Sequence, residues 1–211
     1  VFSDYSDSMH CPADERLWPK SIRGEPIYRS YDFGLTPAVV FSQVTPGGQW
    51  IILDELVSRD MGFDEFSDRV LEHSTRHYRG MEFIDVGDPA GNQKAQTDTR
   101  TCFAIGAAKG MHIRPAPQTL RIRLEGTRKP MRTIVGGKPQ FVMHPRCKRL
   151  RKALLGGYHY RRIHVSGERY ADLPDKNEHS HVADALSYCG AWIFGPALVE
   201  RDLSDRDERS G

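Results

Sequence analysis

The chain has 211 residues and a mass of 24.0 kDa, with 38% hydrophobic and 27% charged residues, which suits one medium-sized soluble domain with a full core. No apolar run reaches the ~18 residues of a membrane helix, and the closest, Ala185 to Val199, is interrupted by Pro196. Its four cysteines (Cys11, Cys102, Cys147, Cys189) form no C-x-x-C pair, which argues against a structural zinc site and fits free thiols in a reducing compartment. The N-terminus is polar and carries no signal peptide, and the missing initiator methionine reads as an excised fragment.

The formal charge of +2 conceals an asymmetry. Residues 1–120 carry 12 Lys/Arg against 17 Asp/Glu, residues 121–170 carry 14 against 2, and residues 171–211 carry 4 against 9. An acidic part and a basic part within one domain suit a metal site beside a polyanion surface. A solvated helix face is the plainer alternative for part of the basic excess.

Residues 1–25, rich in Ser, Asp and Pro, read as an arm or linker, 26–195 as the folded domain, and 196–211 as a polar tail. Three strands are predicted first, "IYRSYDF", "AVVFSQV" and "WIILDELV", the last two joined into a hairpin by Pro46-Gly47-Gly48. Phe63, Phe66, Val70 and Leu71 fall at helical spacing in "FDEFSDRVLEHSTRHY". A fourth strand, "MEFIDV", runs into Gly87-Asp88-Pro89-Ala90-Gly91. "TDTRTCFAIGAAKG" reads as a helix capped by Thr97 or Asp98 and stopped by Gly110. Next come a short strand "HIRPAP", a basic helix from Gln118, a strand "PQFVMH", a basic helix "RCKRLRKALL" and the segment "YHYRRIHV". A last helix spans roughly Glu178 to Trp192.

Three acids stand apart. Asp32 lies in a strand between Tyr31 and Phe33, where acids are depleted. Asp88 ends the fourth strand at the rim of the sheet. Asp184 sits in the apolar "HVADALSY", with His181 three residues before it on the same helix face. Carboxylates converging from two strands and a helix would repel unless a cation neutralised them. Oxygen ligands with one histidine suit Mg²⁺ or Mn²⁺ better than zinc. Asp85 competes with Asp88 but would face the other side of a regular strand. His179 reads as structural or solvent-facing.

"YDFGLTPAVVF", "VGDPAG" and "HVADALSY" together closely resemble the nuclease domain of the large terminase subunit of tailed bacteriophages, over about Ile22 to Trp192. The resemblance implies an α/β, ribonuclease H-like fold, a mixed central β-sheet flanked by α-helices. It implies a two-metal endonuclease cutting concatemeric viral double-stranded DNA, with Asp32, Asp88 and Asp184 holding two Mg²⁺ or Mn²⁺ ions and Asp32 bridging them. His181 would bind metal or orient water. An N-terminal ATPase domain, a small terminase subunit and a portal protein are the implied partners, in the host cell cytoplasm and with no membrane. No G-x-x-x-x-G-K-[ST] loop occurs here, so the chain reads as the nuclease half without ATP use. A Holliday-junction resolvase or another ribonuclease H-like nuclease is the alternative enzyme, and a non-catalytic DNA-binding or capsid-docking module is the alternative class.

The basic segment predicts the DNA face: Arg121, Arg123, Lys148, Arg151, Lys152, Arg161 and Arg162, gripping phosphates instead of base edges. Lys148, Arg151 and Lys152 share one helical face, with Leu150 and Leu154 turned to the core. Tyr158 and Tyr160 read either as sugar-packing groups or as ordinary core and edge residues.

Overall fold

The computed structural model describes the backbone of residues 1–93, 100–164 and 168–195, and their side chains except for 162–172. Strand β1 (Ile27–Asp32) lies at the centre of a six-stranded mixed sheet. It pairs antiparallel with β2 (Ala38–Val44) and parallel with β4 (Phe83–Gly87). Beyond β2 lie antiparallel β3 (Trp50–Val57) and then β8 (Phe141–Met143), parallel to β3; beyond β4 lies the short parallel β5 (Arg114–Pro115). The Thr45 and Gln49 backbones close the β2–β3 hairpin over Gly48, whose φ of +82° favours glycine.

Alternation along the strands builds a core on each face of the sheet. Ala38, Val40, Trp50 and Ile52 pack with α4 (Leu120–Arg132), α5 (Lys148–Lys152) and α6 (Ser180–Phe194). Val39, Phe41, Ile51 and Leu53 pack on the opposite face with α2 (Phe63–His77) and α3 (Cys102–Ala108). Burial on both faces explains why these strands read as continuous apolar runs. Helix α6 is buried almost all round, so Ala183, Ala185, Leu186 and Cys189 all lack exposure.

Several boundaries differ from the sequence expectation. Helix α3 begins at Cys102, where Thr101 accepts from the Ala104 amide; Thr97 and Asp98 lie outside the described residues, as does the tail 196–211. The basic helix after Pro145 is α-helical only over Lys148–Lys152 and continues as a wider turn to Gly157, because Gly156 breaks it at φ +117°. Segment "YHYRRIHV" contributes β9 (Tyr160–His164), which pairs with an unforeseen β10 (Glu168–Pro174) in a two-stranded arm. Two further short strands, β6 (Ile134–Val135) and β7 (Lys138–Pro139), pair with each other.

The stretch before β1 carries a one-turn helix, α1 (Asp7–His10), and packs onto the domain through buried Phe2, His10 and Cys11; His10 Nε2 lies 3.0 Å from the Met131 carbonyl. Asp4 and Asp7 pair with Arg128 and Arg151 at 2.6 and 2.5 Å, pinning this stretch to α4 and α5. None of the four cysteines is in a disulfide. Among the described residues no helix is long and apolar enough to cross a membrane.

Candidate active site

Parallel strands β1 and β4 end side by side, with Tyr31 opposite Gly87, which brings Asp32 and Asp88 to one edge of the sheet. Helix α6 crosses this edge and adds His181 and Asp184. Nδ1 of His181 lies 2.9 Å from Oδ2 of the buried Asp32. Burial raises the Asp32 pKa, the His181 bond opposes that, and the Asp184 charge pushes it up further.

Asp184 is 3% exposed and holds three donors. Oδ1 accepts from Arg123 Nη2 at 2.5 Å and from the Tyr158 hydroxyl at 2.9 Å, and Oδ2 accepts from Lys176 Nζ at 2.5 Å. Arg123 is fixed in turn by the Ser187 hydroxyl, at 3.0 and 2.8 Å, and stacks 3.9 Å over the Tyr188 ring. Tyr188 is pushed well above its ordinary pKa by burial and by the neighbouring Asp88 carboxylate. Asp88 is partly exposed and caps the turn that follows β4, its Oδ1 accepting from the Ala90 amide at 2.9 Å.

Arg123 reaches Asp184 because α4 and α6 touch backbone to backbone. A Cβ added at Gly126 would stand 2.5 Å from the Gly190 carbonyl, and one at Gly190 would stand 2.4 Å from Thr127 Oγ1. Neither position has room for a side chain, so the two glycines set the helix spacing.

The sequence-predicted residues divide clearly. Asp32, Asp88, Asp184 and His181 come to one edge. Asp85 does not: it is buried among Arg29, at 2.7 Å from both Nε and Nη2, and the Tyr31 hydroxyl at 2.8 Å. His179 sits against Gly157 before α6, away from this pairing. Arg123 corrects the expectation of a DNA contact: it is buried and its fork is committed to Asp184 and Ser187. Arg151 makes a bidentate pair with Asp7. Arg121, Lys148, Lys152 and Arg161 are exposed, and the Arg162 side chain lies outside the described residues. The α5 helix that carries Lys148 and Lys152 is anchored by Glu55, which accepts from the Arg149 and Leu150 amides at 2.7 and 2.8 Å. Leu150 and Leu154 face the core as their spacing predicts.

Sequence reasoning missed Lys176 altogether and left Tyr158 between two roles. Both flank the β9–β10 arm, so both roots of that arm are tied to Asp184.

The donors suit a hard divalent cation in kind: carboxylates and one imidazole, without cysteine. Buried Asp184, next to Asp32 in its electrostatic effect, gathers the two cations Arg123 and Lys176, a negative charge that a cation balances. As the side chains lie, no three His, Cys, Asp or Glu groups among the described residues are placed to hold an ion.

The sheet order, the single antiparallel strand β2 and the closing helix α6 define a ribonuclease H-like fold, the mixed central sheet flanked by helices that the sequence predicts. Within that class the chain has the fold of large terminase nucleases. It is similar to the large terminase of a thermophilic bacteriophage in complex with ATP-gamma-S (TM-score 0.69, 15% identity, 91% of this chain and 45% of that one). It is likewise similar to the g2p nuclease domain of bacteriophage SPP1 with bound Mn (TM-score 0.53, 18% identity, 83% and 92%). A third similar structure is the large terminase nuclease of thermophilic phage G20c with bound cobalt (TM-score 0.53, 15% identity, 90% and 95%). The chain spans less than half the length of the first of these and nearly the whole of the other two. No family model matches the chain, and no curated protein does.

Proposed function

We propose that this chain is a metal-dependent endodeoxyribonuclease, the nuclease domain of a phage terminase large subunit, cleaving concatemeric double-stranded viral DNA during packaging. The observation that carries the reading is the arrival of Asp32, Asp88, Asp184 and His181 at one sheet edge in a fold shared with large terminase nucleases. On this reading an ATPase domain, a small terminase subunit and a portal protein are its partners in the host cytoplasm.

Asp32, Asp88 and Asp184 would hold two Mg²⁺ or Mn²⁺ ions. When bound, such ions supply a hydroxide nucleophile at neutral pH and Lewis-acid stabilisation of the departing 3′ oxygen. His181 Nδ1 holds the Asp32 carboxylate in place, which leaves Nε2 to orient water. Arg123 and Tyr158 fix Asp184 Oδ1 and so set where its other oxygen points. Exposed Arg121, Lys148, Lys152 and Arg161 supply positive charge for phosphates.

The test compares random-sequence linear duplex with a four-way junction, each with Mn²⁺ or with chelator. Metal-dependent cutting of the plain duplex, without preference for the junction, supports the terminase reading. Junction-restricted cutting favours a resolvase, and binding without cutting favours a non-catalytic DNA-binding module.

A further inference from the structure

Asp184 has one oxygen committed and one held by a removable group. Its Oδ1 is locked by Arg123 and Tyr158, both buried, and Arg123 is held by Ser187 and Tyr188 as well. Only Oδ2 can turn toward a bound ion, and Lys176 occupies it at 2.5 Å. The Lys176 side chain is 72% exposed on the segment leading into α6, so it can swing into solvent without unpacking anything. Its charge also acts weakly on Asp32, against the raising effect of burial.

We propose that Lys176 is the resident counter-ion of the metal-free site, standing on Asp184 where a divalent cation binds, and that metal binding requires its displacement. The inference rests on the metal-dependent reading above. Buried Arg123 stays in place on Asp184 Oδ1, while the exposed lysine yields.

Mn²⁺ binding, followed by loss of the free-ion electron paramagnetic resonance signal, tests this in wild type, Lys176→Met and Lys176→Arg, with metal-free melting temperatures measured in parallel. Freed of a charge-assisted bond, Asp184 in Lys176→Met is expected to bind Mn²⁺ about tenfold more tightly. Its metal-free melting temperature should fall and its rise on adding Mn²⁺ should grow. Lys176→Arg should keep the wild-type affinity. Equal or weaker Mn²⁺ binding in Lys176→Met, with wild-type binding intact, overturns the counter-ion role and leaves the metal-dependent reading standing. No Mn²⁺ binding by any of the three proteins overturns both.

Discussion

Arg123 and Asp184 form a buried ion pair, 2.5 Å from Nη2 to Oδ1, with side-chain exposures of 10% and 3%. Removing one partner of such a pair leaves an uncompensated charge in a low-dielectric setting. Arg123→Met is therefore expected to destabilise the fold by about 3–5 kcal/mol. Arg123→Lys keeps the charge, loses the fork to Ser187, and should stay folded with reduced cleavage. With its fork buried against Asp184 and Ser187, Arg123→Lys is expected to leave the salt dependence of DNA affinity unchanged. Urea denaturation and binding at several salt concentrations check both statements, and a flattened salt slope would return Arg123 to the DNA face.

Asp85 and Asp88 are three residues apart and should behave oppositely. Asp85→Ala strands Arg29 in the core, with an expected loss of about 3–5 kcal/mol. Asp88→Ala removes one cap bond at a partly exposed turn, costing about 1 kcal/mol, and should abolish cleavage. Denaturation and cleavage measured on both variants separate a structural acid from a catalytic one.

Gly126→Ala places a methyl group against the Gly190 carbonyl. Overpacking of this kind costs about 1–3 kcal/mol. Because the same spacing lets Arg123 reach Asp184, cleavage should fall further than stability alone predicts at a temperature where the variant is fully folded. Activity equal to wild type there would show that the helix spacing does not govern the site.

Acid should weaken the fold partly through Asp54. Burial alone would raise its pKa, but the His73 imidazole at 3.0 Å, the Glu55 amide and Arg146 outweigh burial and hold it below the usual 3.8. A carboxylate depressed in the folded state stabilises above its unfolded pKa, and that stabilisation is lost as pH falls through the folded value. Asp54→Asn should therefore be less stable than wild type at pH 6, with the gap closing below pH 3.8. A gap independent of pH would point to lost packing instead of lost charge.

Lys148 and Lys152 are exposed beside an Arg151 that already pairs with Asp7. Replacing both lysines with alanine should weaken binding to every DNA sequence alike and flatten the salt slope by about 0.9 per lost phosphate contact. Arg151→Ala should change that slope little and loosen the N-terminal stretch by about 0.2–1 kcal/mol. A larger effect of Arg151→Ala on the slope would mean that DNA displaces Asp7.

What could be read from the sequence was local. Continuous apolar runs in "AVVF" and "WIIL" mark strands packed on both faces, and the Pro46-Gly47-Gly48 turn marks their hairpin, because each signal spans only a few residues. An acid between aromatics and an acid at a strand end were visible for the same reason. The groups that hold Asp184 were not. Arg123 lies 61 residues away and carries no local sign of burial, and Tyr158 lies 26 residues away. Arg123 looked like one more cation in a basic segment. Strand β10 went unseen because "ERYADLP" lacks the apolar run that marks the central strands.

The most direct measurement is nicking of supercoiled plasmid in Mn²⁺ by wild type and by Asp32→Ala, Asp88→Ala and Asp184→Ala, each first shown to be folded by circular dichroism. The account predicts that wild type converts the plasmid to nicked and linear forms only with metal, and that each variant leaves it intact. A folded wild type without metal-dependent cutting, or a variant that cuts at the wild-type rate, would contradict it.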